Sequence, residues 1–239
     1  MSSPLTFTLI IPVLNELEAM KQILPRISRD WVDQVLVIDG GSVDGSADYA
    51  RSLGYDVYVQ KEKGLRAAYR EGTELARGDV LITFSPDGNS LAEKIPPLVE
   101  KMKEGYDMVI VSRYKDDAHS DDDDLVTGFG NWMFTTLINL FFRARYTDAI
   151  VMFRAYRKQL IADLKMKEHI PFMEWGERTL GTLSGWEPQM SMRCAKARLK
   201  VCDIPGDEPR RISGQRKITP WRSGAIMSLQ ILYEFVRRS

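Results

Sequence analysis

Two short β-branched runs, each stopping at polar, turn-forming residues, constrain this chain more than any other feature. The first is Leu9-Ile10-Ile11-Pro12-Val13, closed by Leu14-Asn15-Glu16; the second is Val35-Leu36-Val37-Ile38, closed by Asp39-Gly40-Gly41-Ser42-Val43-Asp44-Gly45. Runs of this kind read as buried parallel strands whose carboxyl ends open into a binding crevice. Pro12, Asn15 and Glu16 at one strand end, with Asp39 and Ser42 at the next, suit a base and ribose, and the small residues leave room for phosphates. The expectation is a nucleotide pocket. Ser42 and Asp44 are also good helix N-cap residues, so a pair of ordinary capped loops is the plainer alternative.

The same logic extends along the chain. Strands are expected at Phe7–Val13, Val35–Ile38, Asp56–Val59, Val80–Phe84 and Met108–Ser112, with helical patterns between them, hence an α/β fold with a mostly parallel sheet flanked by helices. In the helical stretch Gly64–Ala76, Leu65, Ala68, Tyr69, Gly72, Leu75 and Ala76 make one narrow face whose small residues permit close packing on a sheet, and Gly78 reads as the C-cap. Beyond Ser112 the alternation becomes irregular. No linker interrupts the 239 residues, which reads as a single domain over 1–217 with an amphipathic C-terminal extension over 218–239.

Composition narrows the partners. Lys plus Arg balance Asp plus Glu at 33 each, but from Arg193 onward eleven basic residues face four acidic ones, which suggests an anionic partner for that part. Nucleic acid is not expected, because the basic positions are broken up by Pro, Gly and apolar residues and match no nucleic-acid-binding module. Phosphates on a substrate or lipid surface fit better. Asp116-Asp117 and Asp121 to Asp124 read as a solvated, mobile loop. Cys194 and Cys202 read as structural thiols, and His119 and His169 as surface residues. No uninterrupted apolar run has the length of a membrane span and the N-terminus lacks a signal-peptide pattern, so a cytoplasmic location is expected, peripheral on the membrane at most. Trp221 to Arg238 carries Ile226, Leu229, Leu232, Tyr233 and Val236 at helical spacing, and Trp132 to Phe142 is a second apolar helix; these suit a membrane interface, packing on the domain, or a second subunit in a homodimer.

The opening motifs, together with the later ones in their order along the chain, resemble family-2 glycosyltransferases, inverting enzymes of the GT-A fold with a Rossmann-like sheet. The likeness runs from Thr6 to Lys217 and is greatest to polyprenyl-phosphate sugar transferases of the dolichyl-phosphate mannose synthase type. The resemblance implies that Asp87 and Asn89, in Ser85-Pro86-Asp87-Gly88-Asn89, hold Mg²⁺ or Mn²⁺ against a nucleoside diphosphate sugar, although Ser85 stands where relatives carry a first Asp. It implies that Lys63, Gly64 and Arg66 lie where a Gly-containing loop enters a helix near the diphosphate, and that Arg113 grips phosphate or sugar oxygens. It makes Asp148 the residue that orients the acceptor or takes its proton, with Glu174 and Glu177 as competitors. The spacing Arg211-x-x-Gly214-x-x-Lys217 matches a loop that closes over the phosphates. The expected acceptor is a polyprenyl phosphate. The alternatives are a sugar hydroxyl, as in polysaccharide biosynthesis, or a non-catalytic sugar-nucleotide-binding protein.

Overall fold

A computed structural model describes residues 4–182, 184–212 and 220–237. In chain order the strands are β1 (Phe7–Val13), β2 (Gln34–Asp39), β3 (Asp56–Val59), β4 (Val80–Thr83), β5 (Met108–Ser112), β6 (Arg154–Arg157) and β7 (Val201–Pro205). Among the described residues they form one seven-stranded sheet in the order β3-β2-β1-β4-β6-β5-β7. Every pairing is parallel except those of β6, which runs antiparallel to both β4 and β5. The helices are α1 (Leu17–Ile23), α2 (Ser46–Ser52), α3 (Leu65–Leu75), α4 (Ile95–Lys103), α5 (Leu125–Phe142), α6 (Leu160–Asp163), α7 (Pro171–Leu180), α8 (Trp186–Lys196) and α9 (Pro220–Val236).

The apolar runs become strands because both faces of the sheet are covered. Leu9 and Ile11 of β1 join Met20, Ile82, Leu98 and Met102 in one core, while Ile10 joins Ile38, Tyr69, Leu81, Ile138 and Trp186 in the other. Fully burying each such side chain contributes about 1.5–3 kcal/mol, which fixes β1 at the centre. Pro12 is tolerated in this central strand for a specific reason. It pairs with Ile38 on the β2 side, whereas the β4 pairing ends at Ile10↔Thr83, so its missing N–H falls where β1 and β4 have parted. Open α/β sheets place their ligand crevice where neighbouring strands part at their carboxyl ends in this way.

Five expected strands are present with ends within a residue. β6 and β7 are additional to them. Arg154, fully buried, breaks the apolar pattern of β6 and is satisfied by the carbonyls of Ala149, Val151 and Glu187 and by Ser191 Oγ. On α3, Gly72 packs as expected: a methyl group there would lie 3.1 Å from Ile38 Cγ1. Leu65 and Leu75, however, are exposed at the edges of that face. Gly78 is not the C-cap, a position taken by Ala76; a Cβ on Gly78 would lie 2.6 Å from the Thr8 nitrogen, so glycine is required by the close approach to β1.

The C-terminal helix is built into the domain rather than appended to it. Ile226 and Ile231 of α9 are buried, and Glu234 forms an enclosed ion pair with Arg193 of α8 at 2.6 Å. Trp221, Leu232, Phe235 and Val236 remain exposed on its outer side. Helix α5 is long and apolar enough to cross a membrane, yet Phe134, Thr135, Ile138 and Phe142 pack into the domain. Phe141 and Phe142 meet Phe235 at ring-centroid distances of 5.2 and 6.4 Å, so the outer apolar residues of α5 and α9 are contiguous.

Candidate active site

The carboxyl ends of β1 and β2 sit side by side, Val13 opposite Asp39. Their loops are cross-tied. The Asn15 N–H donates to Ser42 Oγ at 2.9 Å, and Asn15 Oδ1 accepts from the Val43 N–H at 2.9 Å. These bonds hold Asn15 at φ 57°, a conformation few non-glycine residues adopt without such support. Asp39, nearly inaccessible, accepts the N–H groups of Gly41 and Ser42, each at 3.0 Å. Glu16 donates its N–H to Ser46 Oγ at 3.1 Å. Pro12, Asn15, Glu16, Asp39 and Ser42 thus form one rigid rim. The capping alternative also holds in part, since Asp44 accepts from Ser46 at the start of α2 and from the Leu17 N–H.

The loop after β3 joins this rim through the Gln60 N–H, which donates to the Asp39 carbonyl at 2.9 Å. Gly64, at φ 102°, is the N-cap of α3, and Lys63 beside it is exposed. Their position leaves the first N–H groups of an eleven-residue helix facing the crevice end of the sheet. Arg66 is not available to that end: it bonds Ser184 Oγ at 3.5 Å and Gln189, and lies 5.8 Å from the Trp186 ring. Burial lowers its pKa, with Glu177 opposing. It braces α3 against α8.

A second cluster surrounds the ends of β4 and β5. Arg113 follows Ser112 and is clasped by Asp148, Nε to Oδ2 at 2.6 Å and Nη2 to Oδ1 at 3.1 Å. Asp148 has no exposed surface. Burial works against the Arg113 charge, but the Asp148 carboxylate more than offsets it and holds the guanidinium well above the ordinary arginine value. With both oxygens engaged, Asp148 holds Arg113 rather than presenting a free base. Glu208, which no sequence motif singles out, accepts from Arg113 Nη1 at 3.3 Å and from Asn89 Nδ2 at 3.4 Å. Burial raises its pKa, with Arg113 opposing. Arg211 lies 3.7 Å from Asp87 and 3.1 Å from Asp122.

Asp116, Asp117 and Asp121 are exposed, as expected of a solvated loop, but Asp122 to Asp124 are tied into the fold. Asp122 pairs with Arg211, Asp123 accepts from Tyr114 and Asn131, and Asp124 caps α5 in a capping box with Thr127. Glu174 and Glu177 lie elsewhere, on α7, where Glu174 pairs with His169 and Glu177 accepts from Ser184. Gly214 and Lys217 lie outside the described residues. Both histidines are surface residues, and burial pushes the Cys194 thiol up to about 12, leaving it inert.

The family model for glycosyl transferase family 2 matches residues 8–165, which takes in both clusters as far as Asp148. The chain belongs to that family. It is a glycosyltransferase with the GT-A arrangement of a mostly parallel sheet between helices. It is 25% identical to the dolichyl-phosphate hexose transferase of Haloferax volcanii over 225 residues, 93% of this chain and 91% of that one. It is 32% identical to an undecaprenyl-phosphate 4-deoxy-4-formamido-L-arabinose transferase of Pseudomonas fluorescens over 183 residues, 70% of this chain but about half, 51%, of the relative. Among solved structures, glucosyl-3-phosphoglycerate synthase from Mycobacterium tuberculosis, in complex with Mn²⁺, UDP-glucose and glycerol 3-phosphate, superposes with a TM-score of 0.68 at 17% identity, covering 98% of this chain and 82% of that one.

The glycosyltransferase's donor set fits a divalent cation only in company with a ligand. Among the described residues no group of three or more His, Cys, Asp or Glu forms a free-standing metal site. Asp87 supplies one carboxylate, already accepting the Asn89 N–H at 3.2 Å, and Asn89 an amide oxygen. One carboxylate completed by substrate phosphates is an ordinary way to bind Mg²⁺ or Mn²⁺.

Proposed function

We propose that this glycosyltransferase moves a sugar, with inversion, from a nucleoside diphosphate donor to a polyprenyl phosphate at the membrane surface. The observation that carries the acceptor class is the Arg113–Asp148 clasp. A sugar hydroxyl needs a base to take its proton, whereas an ionised phosphate does not, and Asp148 is fully enclosed and occupied by Arg113. The names of the Haloferax and Pseudomonas relatives agree with a polyprenyl phosphate acceptor.

In this reading Asp39, Asn15, Glu16 and Ser42 hold the base and ribose on the backbone rigidity of Pro12, and the Gly64 helix terminus with Lys63 faces the diphosphate. When bound, a Mg²⁺ or Mn²⁺ at Asp87 and Asn89 would neutralise charge on the leaving diphosphate. The acceptor phosphate oxygen attacks the anomeric carbon from the face opposite the diphosphate; the new C–O bond forms as the old one breaks, and its electron pair leaves on the nucleoside diphosphate. Arg113, kept in place by Asp148 and Glu208, orients the acceptor phosphate, and Arg211 with Lys217 stabilises the departing charge. The lipid would rest against the outer face of α5 and α9, where Leu140, Phe141, Leu232, Phe235 and Val236 are exposed beside Arg143 and Arg145. Apolar residues rimmed by arginines suit an anionic lipid surface, here assigned to the cytoplasmic leaflet.

The test is transfer of radiolabelled sugar from a panel of nucleoside diphosphate donors to a short polyprenyl phosphate in vesicles. A lipid-linked product from the phosphate but not from the matching polyprenol is expected. Transfer only to glycan hydroxyls, or tight donor binding with no transfer to any acceptor, would overturn the reading.

A further inference from the structure

Arg211 stands between two carboxylates from distant parts of the chain. Its Nη1 lies 3.7 Å from Asp87 Oδ2, while its Nε and Nη2 each lie 3.1 Å from Asp122 Oδ2. All three side chains are largely withdrawn from water, with exposures of 28%, 12% and 13% for Arg211, Asp87 and Asp122. The backbone fixes the arrangement on both sides. The Ile212 N–H donates to the Asp87 carbonyl at 2.7 Å, and the Asp121 N–H to the Glu208 carbonyl at 2.8 Å. Gly88, at φ 97°, lets Ile212 lie directly on the turn after β4: a Cβ there would be 2.7 Å from the isoleucine side chain.

The guanidinium thus sits beside the carboxylate proposed to hold a divalent cation. Ser85 adds no second carboxylate beside Asp87, and Arg211 is shared between Asp87 and Asp122. We propose that Arg211 is the internal counter-cation of Asp87 and is exchanged for a divalent metal when a nucleoside diphosphate arrives. Asp122 is the positioning residue that keeps Arg211 beside the site after the exchange, where its free N–H groups meet the diphosphate oxygens. This rests on the assignment of Asp87 to the metal. Its consequence is coupling: metal and nucleotide each bind weakly alone and strongly together, because the nucleotide's negative charge is what allows two cations to occupy the space that one had filled. A guanidinium 3.7 Å from the Asp87 carboxylate repels a second cation at the same oxygen, so removing it raises the affinity of that oxygen for a metal.

The experiment measures Mn²⁺ binding to the full chain by electron paramagnetic resonance of free Mn²⁺, first with Mn²⁺ alone and then with UDP or GDP. Arg211→Gln should tighten nucleotide-free Mn²⁺ binding about tenfold or more, since it removes a cation that repels the metal at Asp87, and shrink the enhancement that nucleotide brings. Asp122→Asn should act in the opposite sense, leaving Arg211 wholly to Asp87 and weakening nucleotide-free binding, and Asp122→Glu should restore it. Arg211→Met serves as a second variant, and unfolding midpoints establish that each is folded. Nucleotide-free Mn²⁺ affinity within twofold of wild type in both Arg211 variants, while Asp87→Asn still abolishes binding, overturns the exchange and leaves the metal assignment standing. Unchanged Mn²⁺ binding in Asp87→Asn overturns both.

Discussion

Replacing Asp148 by asparagine separates a residue that holds Arg113 from one that takes a proton. The carboxylate is fully enclosed and makes two bonds to the guanidinium, at 2.6 and 3.1 Å. Removing one member of a buried ion pair costs about 3–5 kcal/mol, because the other charge is left in a medium that solvates it poorly. Two features place this case at the lower end. Asparagine keeps one oxygen that can accept from Arg113, and Glu208 remains 3.3 Å from Nη1. Against them, the asparagine NH₂ turns donors toward donors. A loss of about 3 kcal/mol is the outcome, a large fraction of the roughly 5–15 kcal/mol that holds a domain folded. With a urea slope of about 3 kcal/mol per molar, the midpoint should fall by about 1 M. Far-UV circular dichroism and tryptophan fluorescence should give coincident transitions, which licenses the free-energy reading. The double variant Arg113→Gln/Asp148→Asn should cost less than the sum of the singles by about 2 kcal/mol. A single-variant loss within about 0.5 kcal/mol, the range of an uninvolved surface position, would refute the clasp and return Asp148 to the role of base.

The same geometry sets three further outcomes. Burial raises the Asp203 pKa, so its folded value lies above its unfolded one; the stability it contributes is complete below the unfolded value near 3.8 and is lost as pH rises through the folded value. Asp203→Asn should therefore gain stability relative to wild type as pH rises from about 4 to 7 in urea titrations, and a flat difference would contradict this. Asp39→Ala removes the acceptor for two loop N–H groups and should weaken nucleoside diphosphate binding about tenfold with or without metal, whereas Asp87→Ala should remove only the metal-dependent gain; calorimetry with and without Mn²⁺ distinguishes them. Leu232→Ser/Phe235→Ser, both exposed, should reduce sedimentation with anionic vesicles about tenfold or more while leaving the fold intact; unchanged sedimentation, or a shift from dimer to monomer instead, would assign the face to a second subunit. Truncation of α9 is the wrong tool here, since it would strip Arg193 of Glu234.

The legible and illegible parts of the sequence divide along a physical line. The apolar strands β1, β2, β4 and β5 can be read because burial on both faces leaves a continuous run, and the rim residues Asn15 and Asp39 because they terminate such runs. Strand β6 cannot, since its buried Arg154 is satisfied by backbone carbonyls rather than by a pattern visible along the chain. The charged cluster is half legible: Asp87, Arg113, Asp148 and Arg211 stand out by motif, but Glu208 and Asp122 acquire meaning only through partners far away in sequence. The acidic run and the basic C-terminal part, read separately, suggest a solvated loop and an anionic partner. In the folded chain part of that excess meets carboxylates from the rest of the chain, Arg211 against Asp87 and Asp122 and Arg237 against Glu168. On the proposed exchange, an anionic ligand draws Arg211 from Asp87 while Asp122 keeps hold of it, so the ligand's affinity depends on what replaces the arginine at Asp87.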